Sequence, residues 1–437
     1  MNVAYQALSW LEAHETELIR TLADLIIRRS ENLPPVGDEK PVQLYLKQQL
    51  DALDFSTELY SLTEVNGLAE HPQYWPGRDY TDRPNLVAVK KGAGGGQSLL
   101  FAVHADVVPG VAGRHAPFEP VALNGRVYGR GSNDMKGGIA AILLAFRYLK
   151  EHGIRLRGNV ILESVVDEEM GGANGTLAGR LRGSRADAAI VPEPTNLRVC
   201  TSHTGGVTWR ITVQGKGGMG FGGEEVTNPI YAIAHMVSEI ERYAAEVREA
   251  KVFRTPSGAV TTPNVVLSMI HAGSFDPGMA DGVPESSFIE VWVECMPGES
   301  LADMEREFKL RMERVIHQSD EHGKLNVKWE QITRFLYGSE AKTSLTDLLL
   351  PLASEITGLP MEAHMAPFAC DAFMFNQFSD TPAIILGPVG ENAHAADEYV
   401  EVNSLLQLAC IYIETMLSWC GIAEDDSNGG VMHGESL

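Results

Sequence analysis

Five side chains able to ligate a metal stand where apolar runs stop. His104 ends Ser98-Leu-Leu-Phe-Ala-Val-His104, Glu169 follows Asn159-Val-Ile-Leu-Glu-Ser-Val-Val166, and Glu193 follows Ala186-Asp-Ala-Ala-Ile-Val191. Asp134 lies in the glycine-dense stretch Gly129-Arg-Gly-Ser-Asn-Asp-Met-Lys-Gly-Gly138, ahead of another apolar run, and His394 closes Gly387-Pro-Val-Gly-Glu-Asn-Ala-His394. Two imidazoles and three carboxylates make the mixed nitrogen and oxygen set that suits a pair of divalent ions with one carboxylate bridging. Zinc is the expected metal, and manganese and cobalt suit the same donors. Taken singly, His104 reads as a hydrogen-bonded core histidine, Asp167-Glu168-Glu169 as a solvated helix start, and the Asp134 stretch as a glycine loop entering a helix. Taken together, charged residues that repeatedly end buried strands would crowd like charge into one place unless a cation sat there. The glycine spacing matches no phosphate-cradling pattern.

Glu168 and its neighbour Glu169 point in different directions, so one can bind metal while the other faces a metal-held water as general base. Asp106, two residues beyond His104 and on the same side of an extended chain, is expected to hold the other ring nitrogen of that histidine.

Three short, continuously apolar runs, at residues 98–104, 159–166 and 186–191, read as strands buried on both faces of a largely parallel sheet. Their carboxyl ends define the edge where sites form in open α/β sheets. One amphipathic helix is expected over the first thirty or so residues, a second near Pro41 to Leu53, and an irregular loop over residues 64–84. From about Gly205 the pattern changes to the alternation of half-exposed antiparallel strands. Strand-like pieces at Val207–Val213, 264–270, 287–293 and 325–332 are separated by a helix begun at Asn228-Pro229 and a helix over 301–316. That β-α-β-β-α-β order is ferredoxin-like and self-contained. Residues 205–333 therefore read as a domain inserted into an α/β domain made of 1–204 and 334–437, whose mixed, mainly parallel sheet is flanked by helices. A helix at 344–356 and a strand at 382–386 resume the α/β pattern, and the segment after Gly421 reads as a loose polar end.

The chain's 437 residues allow two or three domains, and 44% hydrophobic with 21% charged content is that of an ordinary globular protein. Its 35 basic against 58 acidic residues, a net charge of -23, argue against nucleic acid or an anionic membrane as partner. Cys200, Cys295, Cys370, Cys410 and Cys420 are widely spaced and form no CxxC pair, so neither a disulfide framework nor a thiolate zinc site is indicated. The N-terminal stretch lacks the basic n-region of a signal peptide, and no apolar run reaches transmembrane length. A cytoplasmic setting is expected.

The stretches HADVVPG, GRGSNDMKGG, DEEMGG, VPEPT and GPVGENAHAADEYV, in that order and spacing, resemble the dinuclear metallohydrolase family of acetylornithine deacetylase, succinyl-diaminopimelate desuccinylase, aminoacylase and glutamate carboxypeptidase. The resemblance covers nearly the whole chain. It implies His104 and Glu193 on one metal, Glu169 and His394 on the other, Asp134 bridging, Glu168 as base and Asp106 supporting His104. It also implies that the inserted domain is a lid that makes a homodimer.

Three lid positions depart from the family's pattern. A histidine that polarises the scissile carbonyl is replaced in Gly215-Lys-Gly-Gly-Met219, although Asn228 keeps its place nine residues on. A thioether cannot donate to an oxyanion, and loss of such a donor typically costs roughly 3 kcal/mol of transition-state stabilisation. An arginine that reads a substrate carboxylate is replaced in Trp292-Val-Glu294-Cys-Met-Pro297, and an asparagine in Asp281-Gly-Val-Pro284. Losing a cation and gaining anions disfavours an N-acyl amino-acid carboxylate. His203, His235 and Lys216 are candidates to replace the missing donor. Metal-dependent hydrolysis of a C–N bond in an atypical small N-acyl or aromatic compound follows. The alternatives are hydrolytic deamination at a non-amide carbon, where a carbonyl-polarising histidine is dispensable, and a metal-dependent binding protein without turnover. An intact Glu168 argues against the latter.

Overall fold

The structure is a computed structural model that describes residues 3–424 apart from 172–173, 221–222, 256, 274–281, 321–322 and 336. Asp281 and the segment from residue 425 onward therefore lie outside the described residues. The main sheet runs, in spatial order, Ser339–Glu340, Cys200–His203, Ala383–Ile385, Ala188–Val191, Leu99–His104, Val160–Val165, Asn85–Lys90, Ser56–Tyr60, with His364–Ala366 paired beside Cys200–His203. Pairing is parallel from Ala383–Ile385 through Val160–Val165 and antiparallel at both flanks. Every residue of the three central strands expected from their apolar runs is buried. Covered on both faces, these strands have no solvent side on which to alternate.

The helix Gly137–Glu151 follows directly from the Asp134 turn, is buried nearly all round, and packs against Val402–Thr415. The expected single N-terminal helix is two, Val3–Ala13 and Glu15–Ile26. At the break, the ring of His14 stacks on Trp10 and its Nδ1 lies 2.7 Å from the Trp10 carbonyl, so the side chain competes locally for the backbone. The sheet's outer strands, Ser56–Tyr60 and Asn85–Lys90, have short mixed patterns that sequence periodicity did not single out. Among the described residues, no helix is long and apolar enough to cross a membrane.

Residues Gly205–Phe335 build a second sheet, ordered Val265–Ala272, Ser286–Cys295, Gly205–Gln214, Asn326–Phe335, antiparallel throughout. Pro229–Ala250 and Leu301–Ser319 cover it, and their buried residues share a core with the strands that is separate from that of the main sheet. Asn228 caps the first helix as its residue type suggested, accepting the Ile230 N–H at 3.0 Å.

Close packing ties the Asp134 turn to the strand that delivers Glu193. A Cβ added at Gly138 would lie 2.7 Å from Pro192 Cβ and 2.9 Å from its carbonyl oxygen, both too near for an ordinary contact. Gly138→Ala is therefore expected to destabilise the protein by about 1–3 kcal/mol, as overpacking does, read from the denaturant midpoint. An unchanged midpoint would mean that the two segments do not meet this closely in solution.

Candidate metal centre

His104, Glu168, Glu169 and Glu193 come from the carboxyl ends of central strands or the loops just beyond them, while Asp134 comes from a turn after a strand of a separate small sheet. His104 is the last residue of its strand, Asp134 sits in the tight turn Ser132–Lys136, and Glu168, Glu169 and Glu193 follow Val160–Val165 and Ala188–Val191. His394 stands in the loop after Ala383–Ile385, at φ 63°. The loops converge on Asp134: His104 Nε2 lies 3.1 Å from its Oδ1 and His394 Nε2 lies 3.3 Å from its Oδ2. Glu193 Oε1 is 3.6 Å and Glu168 Oε2 4.0 Å from His104 Nε2, while Glu169 Oε2 is 2.9 Å from His394 Nε2. Ligand atoms of His104, Asp134 and Glu169, and likewise of His104, Glu168 and Glu193, fall within 4.8 Å of one another.

The electrostatics favour a cation here. Burial pushes the Glu168 carboxyl up against the pull of His104, and Asp371, Glu193 and Glu169 add to the rise. Glu193 is raised by burial and by Asp134. Burial would lower His104, but Asp134 and the surrounding carboxylates overcome it and hold the ring charged to well above its usual range. Asp134 is lowered despite its burial, because both imidazoles contact it. Glu193 Oε1 is buried with no hydrogen-bond partner. Four carboxylates held by two protonable rings are under-neutralised, and a donor set of oxygens and imidazole nitrogens is what a divalent ion would complete.

Asp106 works differently from the sequence expectation. The Nδ1 of His104 is 2.8 Å from the backbone carbonyl of Asp106, so Nδ1 donates there and Nε2 faces the cluster. The Asp106 carboxylate is 3.7 Å from the ring and instead accepts the N–H groups of Glu168 and Glu169 at 3.2 and 3.1 Å and the Asn32 amide at 2.8 Å. The two-residue spacing placed Asp106 beside the ring, but the chain turns after the strand and brings its carbonyl inward. The same Asn32 bonds Asp167, which also takes the Tyr80 hydroxyl and faces Arg83, itself clamped by Glu39 at 2.5 and 2.8 Å. Burial raises Glu39 to about 7 against the pull of Arg83.

The sequence profile of peptidase family M20/M25/M40 matches residues 100–418. The chain belongs to that family. It is 26% identical over 447 residues to the N-formyl-4-amino-5-aminomethyl-2-methylpyrimidine deformylase of Bacillus subtilis, covering 94% of this chain and 96% of that one. It is 30% identical over 358 residues to the succinyl-diaminopimelate desuccinylase of Leptothrix cholodnii, covering 76% and 85%. The fold superposes on the di-peptidase Dug1p from Saccharomyces cerevisiae with a TM-score of 0.77 at 12% identity, covering 95% of this chain and 98% of that one. This M20-family chain is thus a hydrolase of the amidohydrolase and deacylase kind.

Met219, Asn228 and Glu294 make other contacts than those of the cluster. Met219 is 61% exposed on the second sheet's side of the molecule, its N–H bonded to Glu224. Asn228 is committed to its helix cap. Glu294 is buried, accepting both the N–H and the side-chain amide of Asn264 on Oε2 at 2.7 and 3.0 Å. Of the replacement donors, His203 is buried in the main sheet between the Thr204 carbonyl and the Ser339 hydroxyl, and burial lowers it to about 4. His235 contacts Ser319 on the surface, and Lys216 pairs with Thr227.

Two residues of this M20-family site escaped sequence reasoning. Asp371 borders, with His104, Glu168 and Glu193, a cavity of about 10 Å³, room for no more than one water. Burial raises its carboxyl to about 7, and the Thr176 hydroxyl bonds it. No periodicity or spacing marks it. Glu398, four residues past His394, is fully enclosed and accepts the N–H groups of Gly131, Asn133 and Asp134 at 2.8, 2.9 and 3.1 Å and Arg130 Nη1 at 2.6 Å. One carboxylate thus ties the Asp134 turn to the His394 loop; its only sequence signal is its place in GENAHAADEYV. Glu398→Ala strands a buried guanidinium and three amides, with an expected cost of about 3–5 kcal/mol. Hydrogen exchange at Gly131, Asn133 and Asp134 should accelerate in that variant. Unchanged protection there would show that Glu398 does not hold the turn.

Proposed function

We propose that this chain hydrolyses the C–N bond of a small N-acyl compound at a site holding two divalent cations. His104 and Glu193 would hold one, Glu169 and His394 the other, and Asp134 would bridge them. The observation that carries this reading is the approach of the two imidazoles to opposite oxygens of Asp134, at 3.1 and 3.3 Å. Zinc suits the donor set best, with manganese and cobalt as alternatives. When bound, such ions supply the positive charge that acidifies a water and polarises an acyl carbonyl. Glu168 accepts the proton of the attacking water and returns it to the leaving nitrogen. Asp106 fixes Glu168 and Glu169 through their N–H groups and sets the tautomer of His104 through its own carbonyl, so that Nε2 stays a donor of electrons toward the cluster.

The substrate's remaining part is read by the second sheet. Glu294 lines a cavity of about 90 Å³ with Thr204, Asn264 and Met365, and the buried Thr204 hydroxyl has no partner. Pro367 borders this cavity and Asp371 the one beside Glu168, and four residues span at most roughly 14 Å. A buried carboxylate favours N–H donors and repels a substrate carboxylate. The reading is therefore an N-acyl amine whose body carries amino groups, an aminated heteroaromatic ring included. The pyrimidine deformylase among its relatives supports that class. Residues 205–333 act as the lid domain and as the homodimer contact. The edge strand Val265–Ala272, which exposes Val266, Met269 and Ile270, and the nearby exposed Tyr231 support a second copy pairing there.

Two experiments test these assignments. Glu168→Gln in metal-loaded protein should lower kcat by about 10²–10⁴-fold while leaving two metal equivalents bound by elemental analysis. Full turnover in that variant would end Glu168's role as base, and fewer than two bound ions in the wild type would end the dinuclear assignment. On a panel of N-formyl aminopyrimidines and N-acyl amino acids, Glu294→Gln should cut kcat/KM about tenfold or more on the former alone, the worth of a charged hydrogen bond. An equal effect on both classes would place Glu294 outside substrate recognition.

A further inference from the structure

The strand that delivers Glu168 at its carboxyl end helps to line a second cavity at its amino end. Val160 borders a space of about 350 Å³, within the range of small-molecule pockets. The strand Val160–Val165 is six residues long, so this cavity lies roughly 20 Å from the metal centre. Buried Phe55, Phe146, Leu149 and Leu156 wall it, the two phenyl rings 4.7 Å apart. Four cations, Lys90, Lys91, Lys150 and Arg155, line the same space against one carboxylate, Asp54.

Those charges are arranged and only partly spent. Lys90 Nζ donates to the Leu53 carbonyl at 2.8 Å and lies 3.6 Å from Asp54. Lys150 Nζ donates to the Ala52 carbonyl at 2.7 Å and lies 3.0 Å from the same carboxylate. An ammonium has three donors, so each keeps capacity for a ligand. Lys91 and Arg155 make no ion pair among the described residues. The backbone of Arg155 is fixed by the Ala423 N–H at 2.8 Å, which steadies that wall. In a chain of net charge -23, four cations against one carboxylate line this apolar hollow. It attracts anions and repels cations, while the phenyl and leucine walls favour an apolar body.

We propose that this cavity is a binding site for a small amphipathic anion: an apolar body about the size of a phenyl ring or a short acyl chain, bearing one carboxylate or phosphate. The site is separate from the metal centre, and its occupancy does not require the reading of that centre to hold.

Titration calorimetry on the intact protein tests it, with octanoate and phenyl phosphate as probes of the two head groups and octylamine and octanol as controls. One equivalent of octanoate or phenyl phosphate should bind, more weakly as salt rises, and the member bound more tightly names the head group. The exposed double variant Lys91→Glu with Arg155→Glu should weaken that binding about tenfold or more without moving Tm. The same affinity should be measured after chelation of metal, which separates this cavity from the metal centre. Octylamine binding as tightly as octanoate, affinity unchanged in the double variant, or no saturable binding of either anion up to roughly 10 mM would each overturn the proposal.

Discussion

The constraint on which this structure turns is the gathering of Asp134, Glu168, Glu169 and Glu193 at one sheet edge with two imidazoles among them. Burying carboxylates side by side is costly, and burial together with like-charged neighbours raises both Glu168 and Glu193. The rest of the main domain is organised to bear that load. Central strands buried on both faces give rigid mountings, and each ends at the point where its ligand begins. A site carried on such strands keeps sub-ångström placement that a loop alone would not.

Around the cluster stands a second tier of buried polar groups whose partners are backbone N–H groups and buried side-chain donors. Glu398 gathers three amides of the Asp134 turn, and Asp106 gathers the two amides that follow Asp167. Behind them, Asn32 joins Asp106 to Asp167, and Arg83 joins Asp167 to Glu39. Each of these carboxylates faces partial or full positive charge, so the negative charge of the cluster is not simply extended outward. The segments fastened this way come from every part of the main domain. The site's geometry is therefore a property of the whole fold.

The second sheet contributes differently. It has its own core. One of its strands carries a buried Glu294 that shares a small cavity with the orphaned Thr204 hydroxyl, and Met219 stands in the open. The metal-ligating residues and the second sheet are thus mounted on separate cores, which lets one vary without disturbing the other.

The sequence by itself determined the residues of the cluster, the central strands and the ferredoxin-like order of the second sheet. Those signals are local: an apolar run followed by a charged residue, an Asn-Pro helix start, an alternation of period two. It also exposed Met219 and Glu294 as departures, because a missing donor is visible wherever the register survives. Only the tertiary structure decided how the second tier acts. That Asp106 serves His104 through its carbonyl while its carboxylate holds Glu168 and Glu169 depends on how the chain turns after residue 104. Glu398 and Asp371 reach their partners across 264 and 195 residues of chain, and no local pattern encodes such a meeting. Buried polar contacts between distant segments are set by packing, since each group must find a partner in whatever surrounds it once water is gone.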